Sequence, residues 1–249
     1  MTAAIDTTPR ALAELIGPLL PTGVLAFDVD GVLAPIVEHA DDATLTPGVG
    51  DHLASLTAVT CVAILSGRAL QSLERLFAFP AEIHVIGSHG LEVRGSEPPD
   101  LNDDERFVYE QLEIIATRAV DAAGDGAWLE YKPASVVFHT RAADPTLAAP
   151  AVEAVSNLAT MITGAQVKAG SSVVELLARR ASKGEALSGL AAVLDRAPIV
   201  YFGDDVTDED AFRAMGDDDV SVRVGPGDTA ARYRLPDPAA VSELIAILA

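Results

Sequence analysis

Val24-Leu25-Ala26-Phe27-Asp28-Val29-Asp30-Gly31 is a short apolar run that empties into two carboxylates and a glycine. An uninterrupted apolar run of this length, bounded by turn residues, reads as a strand buried on both faces. The same pattern recurs on either side. Cys61–Leu65 ends at Ser66-Gly67-Arg68, Ile83–Ile86 at Gly87-Ser88-His89-Gly90, and Ile199–Phe202 at Gly203-Asp204-Asp205. Helical signals fill the intervals. Thr8-Pro9 and Thr46-Pro47 are helix starts, and Leu53, Leu56, Leu70, Leu73, Leu76 and Phe77 recur at helical spacing. Apolar strands alternating with helices predict an α/β fold with a doubly wound, Rossmann-like parallel sheet. Ligands in such sheets bind outside the carboxyl ends of the strands, where each of these polar clusters falls.

The pattern breaks after residue 92. Gly95, Pro98, Pro99 and several acidic residues form a linker. A helix is expected over Asp104–Ala123, two strands within Ala127–Arg141, a helix over Thr146–Ile162 and a strand pair within Ala165–Leu177. This order predicts an α+β cap domain at residues 93–178, inserted into a core made of residues 1–92 and 179–249. The βα alternation then resumes with helix Lys183–Leu194, strand Ile199–Phe202, helix Asp208–Met215 and strand Val220–Val224. Thr207 is the expected cap of the third of these.

The 249 residues are 49% hydrophobic, enough for two cores, and carry a formal charge of −20. Such a surface repels nucleic-acid phosphates and anionic lipid, so neither is expected as a partner. No apolar run reaches the length of a membrane span; the longest lies near Val59–Leu65. No signal-peptide pattern is seen, and the single cysteine, Cys61, excludes an internal disulfide. A cytoplasmic setting is expected, and nothing points to an obligate interface, so a monomer is expected too. The five histidines lack metal-pair spacing, and Gly225-Pro226-Gly227 lacks the third glycine of a dinucleotide loop.

Four constellations carry chemistry. Asp28 and Asp30 share a strand-to-turn bend, and like charges this close need a cation, for which magnesium is suited. Asp204 and Asp205 lie at a second strand tip; Asp208–Asp210 beyond them are also explained by the dipole of the following helix. If the two strands are neighbours, Asp204 completes an oxygen site with Asp28 and Asp30. Ser182 and Glu185 have capping-box spacing, placing Lys183 at the first position of a helix, where cation and dipole together suit an anion. Ser66 and Gly67 offer a hydroxyl and backbone N–H groups at a third tip.

Taken in order, these pieces resemble the haloacid dehalogenase superfamily of phosphotransferases. Finer features resemble its trehalose-6-phosphate phosphatases: the run from Phe27 to Ile36, Ser66-Gly67-Arg68, Gly87 to Glu92, Glu130-Tyr131-Lys132 through His139-Thr140-Arg141, Val174-Glu175-Leu176, Ser182-Lys183-Gly184 and Gly203 to Phe212. Val32 and Thr140 depart from that pattern, which usually has Thr and an aromatic there. The resemblance implies that Asp28 is the nucleophile and Asp30 the general acid and base. It implies that Mg2+ is held by Asp28, Asp30 and Asp204, with Asp205 and Asp208 behind them, and that Ser66, Gly67 and Lys183 hold the phosphate. Arg68, His89, Glu130, Lys132, His139, Arg141 and Glu175 are the implied contacts to a sugar, over which the cap closes. The partner is then a small sugar phosphate. The alternatives are a phosphatase for another sugar phosphate, such as a glycosyl phosphoglycerate or sucrose phosphate, or a catalytically silent phosphosugar-binding module.

Overall fold

The computed structural model describes residues 4–170 and 172–249. In chain order, the first segment carries β1 (Ile5–Asp6), α1 (Pro9–Ile16), β2 (Val24–Phe27), α2 (Val49–Leu56), β3 (Cys61–Leu65), α3 (Leu70–Phe77), β4 (His84–Gly87) and β5 (Glu92–Val93). Next come α4 (Asp103–Ala123), β6 (Trp128–Lys132), β7 (Ser135–His139), α5 (Pro145–Thr160), β8 (Gln166–Gly170) and β9 (Val173–Leu177). The chain closes with α6 (Lys183–Leu194), β10 (Ile199–Gly203), α7 (Val206–Ala214), β11 (Val220–Val224), β12 (Tyr233–Leu235) and α8 (Pro238–Leu248). It divides into two compact units, Met1–Ser96 with Ser182–Ala249, and Glu97–Ala181.

The first unit holds an eight-stranded sheet in the order β1-β12-β11-β10-β2-β3-β4-β5, parallel except for β5. Residues of β2 alternate between two cores. Leu25 and Phe27 pack into one cluster with residues of α1, α2, α3 and α8, whereas Val24 and Ala26 join residues of α6 and α7 in the other. Both faces are covered, which is why the strand shows no polar alternation. Phe27 aligns with Phe202 of β10 on one side and Ile64 of β3 on the other. Asp28, Ser66 and the Gly203-Asp204 corner therefore leave three adjacent strands at the same end of the sheet.

Two helix starts and the bounds of the two units differ from expectation. Gly48, at φ +85°, precedes α2, so Thr46-Pro47 is spent in a turn and the helix begins at Val49. Asp205, not Thr207, caps α7, accepting from the N–H groups of Thr207 and Asp208 in a capping box completed by Asp208. The helix thus starts at Val206, because a carboxylate with two donors in reach outcompetes a hydroxyl. The break between the units falls after Ser96 rather than after residue 92, because β5 pairs with β4 and ties Glu92 and Val93 into the sheet. It returns at Ser182, beyond the expected 179.

The second unit is a four-stranded antiparallel sheet, β6-β7-β9-β8, with α4 and α5 on one face. Val136, Phe138, Val174 and Leu176 pack under these helices. Trp128, Glu130, Lys132, Ser135, His139 and Glu175 alternate to the opposite face. No helix among the described residues is long and apolar enough to cross a membrane.

Candidate active site

Asp28 lies at the end of the central strand, 5% exposed. Its Oδ1 accepts from the Val29 N–H at 2.6 Å, and its Oδ2 accepts from Lys183 Nζ at 2.5 Å. The ammonium is fully buried and also donates to Asp208 Oδ1 at 2.8 Å. Asp208 is saturated: Tyr201 Oη donates to Oδ1 at 2.5 Å, and the N–H groups of Asp204 and Asp205 donate to Oδ2 at 2.9 and 3.1 Å. This is possible because Gly203 lacks a side chain; a Cβ there would lie 2.3 Å from the Asp208 carboxyl carbon.

One buried ammonium serves two carboxylates, with Asp204 and Asp205 close by. Burial disfavours the Lys183 cation, but Asp208, Asp28 and Asp205 outweigh it and keep the amine charged. Burial raises the Asp28 carboxyl well above its usual range, opposed by Lys183 and reinforced by Asp208 and Asp205. Burial also raises Asp208, but Lys183 and the hydrogen bonds from Lys183, Tyr201 and Asp205 win and hold it low. Asp204 is pushed up to about 7 by burial and by the charges of Asp208 and Asp205. Among the described residues no donor is hydrogen-bonded to the Asp204 carboxylate. It lies against the backbone of Gly31, where a Cβ would sit 2.0 Å from Oδ2, and Gly31 has φ +76°.

This excess of buried negative charge, made of hard oxygen donors, fits a divalent cation such as magnesium. Carboxylate oxygens of Asp28, Asp205 and Asp208 approach within 4.8 Å of one another. Asp208 has no acceptor site to spare, so Asp28, Asp204 and Asp205 are the available anionic ligands. Asp205, expected behind the site, spends Oδ1 on capping α7, while a carboxylate oxygen of it comes within 4.8 Å of oxygens of Asp28 and Asp208. The Asp30 carboxylate points elsewhere, into the guanidinium of Arg68. Arg68 Nε and Nη2 donate to its two oxygens at 2.6 and 2.7 Å.

Ser66 is buried, and its Oγ accepts from the Arg68 N–H at 3.2 Å. His89 stands on β4's tip, its N–H donating to the Ser66 carbonyl at 2.9 Å and its ring against Gly67. Ser88 and His89 both have left-handed backbones, φ 48° and 55°. Strain of this kind costs about 1–3 kcal/mol per residue and persists where surroundings enforce it. Ser88 Oγ donates to the Glu92 carboxylate, which also accepts from the Leu70 N–H at 3.2 Å.

On the second unit, Lys132 Nζ donates to Glu175 Oε1 at 3.2 Å, and Ser135 Oγ donates to the same oxygen at 2.6 Å. His139 Nε2 and Glu130 Oε2 are 3.0 Å apart. That hydrogen bond lowers the Glu130 carboxyl, against the upward push of burial. The Trp128 indole stacks on the His139 ring, centroids 3.9 Å apart and planes 4° from parallel. Arg141 is exposed in the turn after β7. The sequence reading missed Tyr201, Ser135 and Trp128. Trp128 was findable, being two residues before Glu130 on the same alternating face; Tyr201 sits in an apolar strand and announces nothing.

An acidic strand tip with its lysine, on a Rossmann-like core interrupted by an antiparallel unit, defines a haloacid dehalogenase-like protein. A family model described as trehalose-phosphatase matches residues 26–239. The trehalose-phosphate phosphatase of Mycobacterium ulcerans is 35% identical over 254 residues, covering 96% of this chain and 65% of that protein. The chain belongs to the trehalose-phosphatase family. It spans just under two thirds of the length of that relative. The Candida albicans trehalose-6-phosphate phosphatase C-terminal domain has a TM-score of 0.77 at 23% identity, covering 100% of this chain and 99% of that one. The C-terminal domain of the Candida albicans trehalose synthase regulatory protein has a TM-score of 0.72 at 14% identity, covering 97% and 99%.

Proposed function

We propose that this chain is a magnesium-dependent phosphatase, acting in the cytoplasm as a monomer, that hydrolyses trehalose 6-phosphate through a phosphoryl group carried on Asp28. The observation that carries the reading is the buried Asp28–Lys183–Asp208 triad at the tip of the central strand. It is an expensive arrangement to bury, and its unbalanced carboxylates call for a cation, which would in turn let an anionic phosphate ester approach Asp28.

Asp28 attacks phosphorus while the bond to the sugar oxygen breaks, and Asp30 gives that oxygen a proton. Water then attacks the aspartyl phosphate, Asp30 takes its proton, and the Asp28 carboxylate and inorganic phosphate are released. Val29 N–H and Lys183 hold the two oxygens of Asp28 in place. Ser66 accepts through Oγ from Arg68, so its own proton is left for a phosphoryl oxygen. Asp28, Asp204 and Asp205, with the Asp30 carbonyl, are the residues that would hold Mg2+. When bound, the ion neutralises charge, so that an anionic carboxylate can approach an anionic ester.

Phosphate release from trehalose 6-phosphate, sucrose 6-phosphate, glucosyl phosphoglycerate and glucose 6-phosphate, each with and without Mg2+, tests this. Trehalose 6-phosphate should be turned over fastest, and chelation should abolish release. A different preferred ester would reassign the substrate, and no release from any would leave a binding module.

On the second unit, Glu130, Lys132, His139, Arg141 and Glu175 are proposed as donors and acceptors for sugar hydroxyls, and His89 on the first unit is proposed as a further substrate contact. Trp128 belongs with the sugar set. It is the chain's single tryptophan and is 52% exposed, so its emission reports on that face alone. Adding trehalose 6-phosphate to an inactive Asp28→Asn protein should shift that emission to the blue. Unchanged emission at saturating ligand would remove this face from the sugar site.

A further inference from the structure

We propose that Arg68 is the positioning residue for the acid–base carboxylate of Asp30, rather than a contact to the sugar; this rests on the phosphatase reading above. The guanidinium meets the carboxylate edge to edge, Nε to Oδ2 at 2.6 Å and Nη2 to Oδ1 at 2.7 Å. This paired geometry fixes orientation and leaves each Asp30 oxygen a second lone pair, on which the proton for the departing oxygen would be carried. The remaining corner, Nη1, donates to the Ala40 carbonyl at 2.9 Å. The guanidinium carbon lies 5.6 Å from the centre of the Phe77 ring, and the Arg68 N–H is bound to Ser66 Oγ. Three of the guanidinium's five N–H donors are thus committed, and the side chain is only 12% exposed, against 32% for that of Asp30.

Asp30 has no comparable support of its own. Among the described residues, no other side chain or N–H donates to its carboxylate. Its backbone is set by the Asp30–Ala34 bridge and by Gly31 N–H donating to the Ala34 carbonyl at 2.8 Å, but these leave the side-chain torsions open. Arg68, 38 residues away in sequence, chooses the rotamer. A general acid must sit within hydrogen-bond reach of the departing oxygen, and an ångström of misplacement is costly.

The test uses leaving-group chemistry. Trehalose 6-phosphate and ethyl phosphate both expel a basic alkoxide that needs a proton, whereas 4-nitrophenyl phosphate expels a stable anion. kcat/KM stops at the first irreversible step, so it isolates ester cleavage. In Arg68→Met, kcat/KM should fall about 10²-fold for both alkyl esters and stay within about threefold for the aryl ester. Arg68→Lys keeps the charge but not the fork and should lose nearly as much. In an Asp30→Asn background, removing Arg68 should add little, because its partner is already gone.

Equal losses on all three esters in both single variants would mean that Arg68 holds phosphate or the fold. A loss confined to trehalose 6-phosphate would make it a sugar contact. Full activity in Arg68→Lys would show that charge, not the fork, matters. Each of these overturns the proposal. A wild-type protein that cleaves none of the esters would instead overturn the phosphatase reading.

Discussion

Asp28→Asn should reduce phosphate release to below about a thousandth of the wild-type rate, because on the proposed mechanism it removes the nucleophile and with it a whole reaction path rather than one stabilising contact. The fold should survive. Asn keeps the size of Asp28 and retains one oxygen, enough for Lys183 or for the Val29 N–H but not for both, while Asp208 still neutralises the ammonium. Removing a carboxylate whose burial raises it well above its usual range also relieves desolvation. The lost acceptor and the relieved desolvation oppose each other, so the melting temperature should change by only a few degrees. Rapid acid quench with radiolabelled substrate should trap label on the wild-type protein and none on the variant. A variant retaining a tenth of the rate, or still acquiring label, would mean that phosphorus is attacked by something else.

Asp208→Ala should act in the opposite way, through stability as well as rate. Four donors lose their acceptor at once: Lys183 Nζ, Tyr201 Oη and the N–H groups of Asp204 and Asp205. Breaking a buried ion pair from one side costs about 3–5 kcal/mol, since the other charge stays buried. In a chain of this size that corresponds to about 6–20 °C in melting temperature. The charge balance at Asp28 shifts too, as Lys183 then answers to one carboxylate instead of two. Thermal unfolding followed by circular dichroism gives the number. A loss below about 1 kcal/mol would show that the triad is far wetter than its burial indicates.

What could be read in advance follows from where the information sits. Cys61–Leu65, Lys183–Leu194 and Val220–Val224 match their elements residue for residue, because an apolar run or a serine cap is a local signal. The two-residue β1 and three-residue β12 are defined only by the strands they pair with, so no window of sequence contains them. The last helix was legible and overlooked: Asp237 caps it and Pro238 opens it, the same grammar as Thr8 and Pro9. The strand tips were equally plain. Their internal wiring was not. That Arg68 takes Asp30, and that Asp208 spends every lone pair on Lys183, Tyr201 and two backbone groups, are tertiary facts between residues that look alike in sequence.

Asp28 and Lys183 are separated by 155 residues, and the entire second unit lies in that interval. During synthesis β2 emerges early, yet its neighbour β10 and the lysine of α6 follow only after the second unit has left the ribosome. The middle of the large sheet must wait, with one long edge of β2 unsatisfied, while the helices and hairpins of the inserted segment find local partners. Order of birth thus favours the insert folding first and the reaction centre last. A chain cut short before Ser182 would hold Asp28 on an open strand, without the Lys183 ammonium that pairs with it.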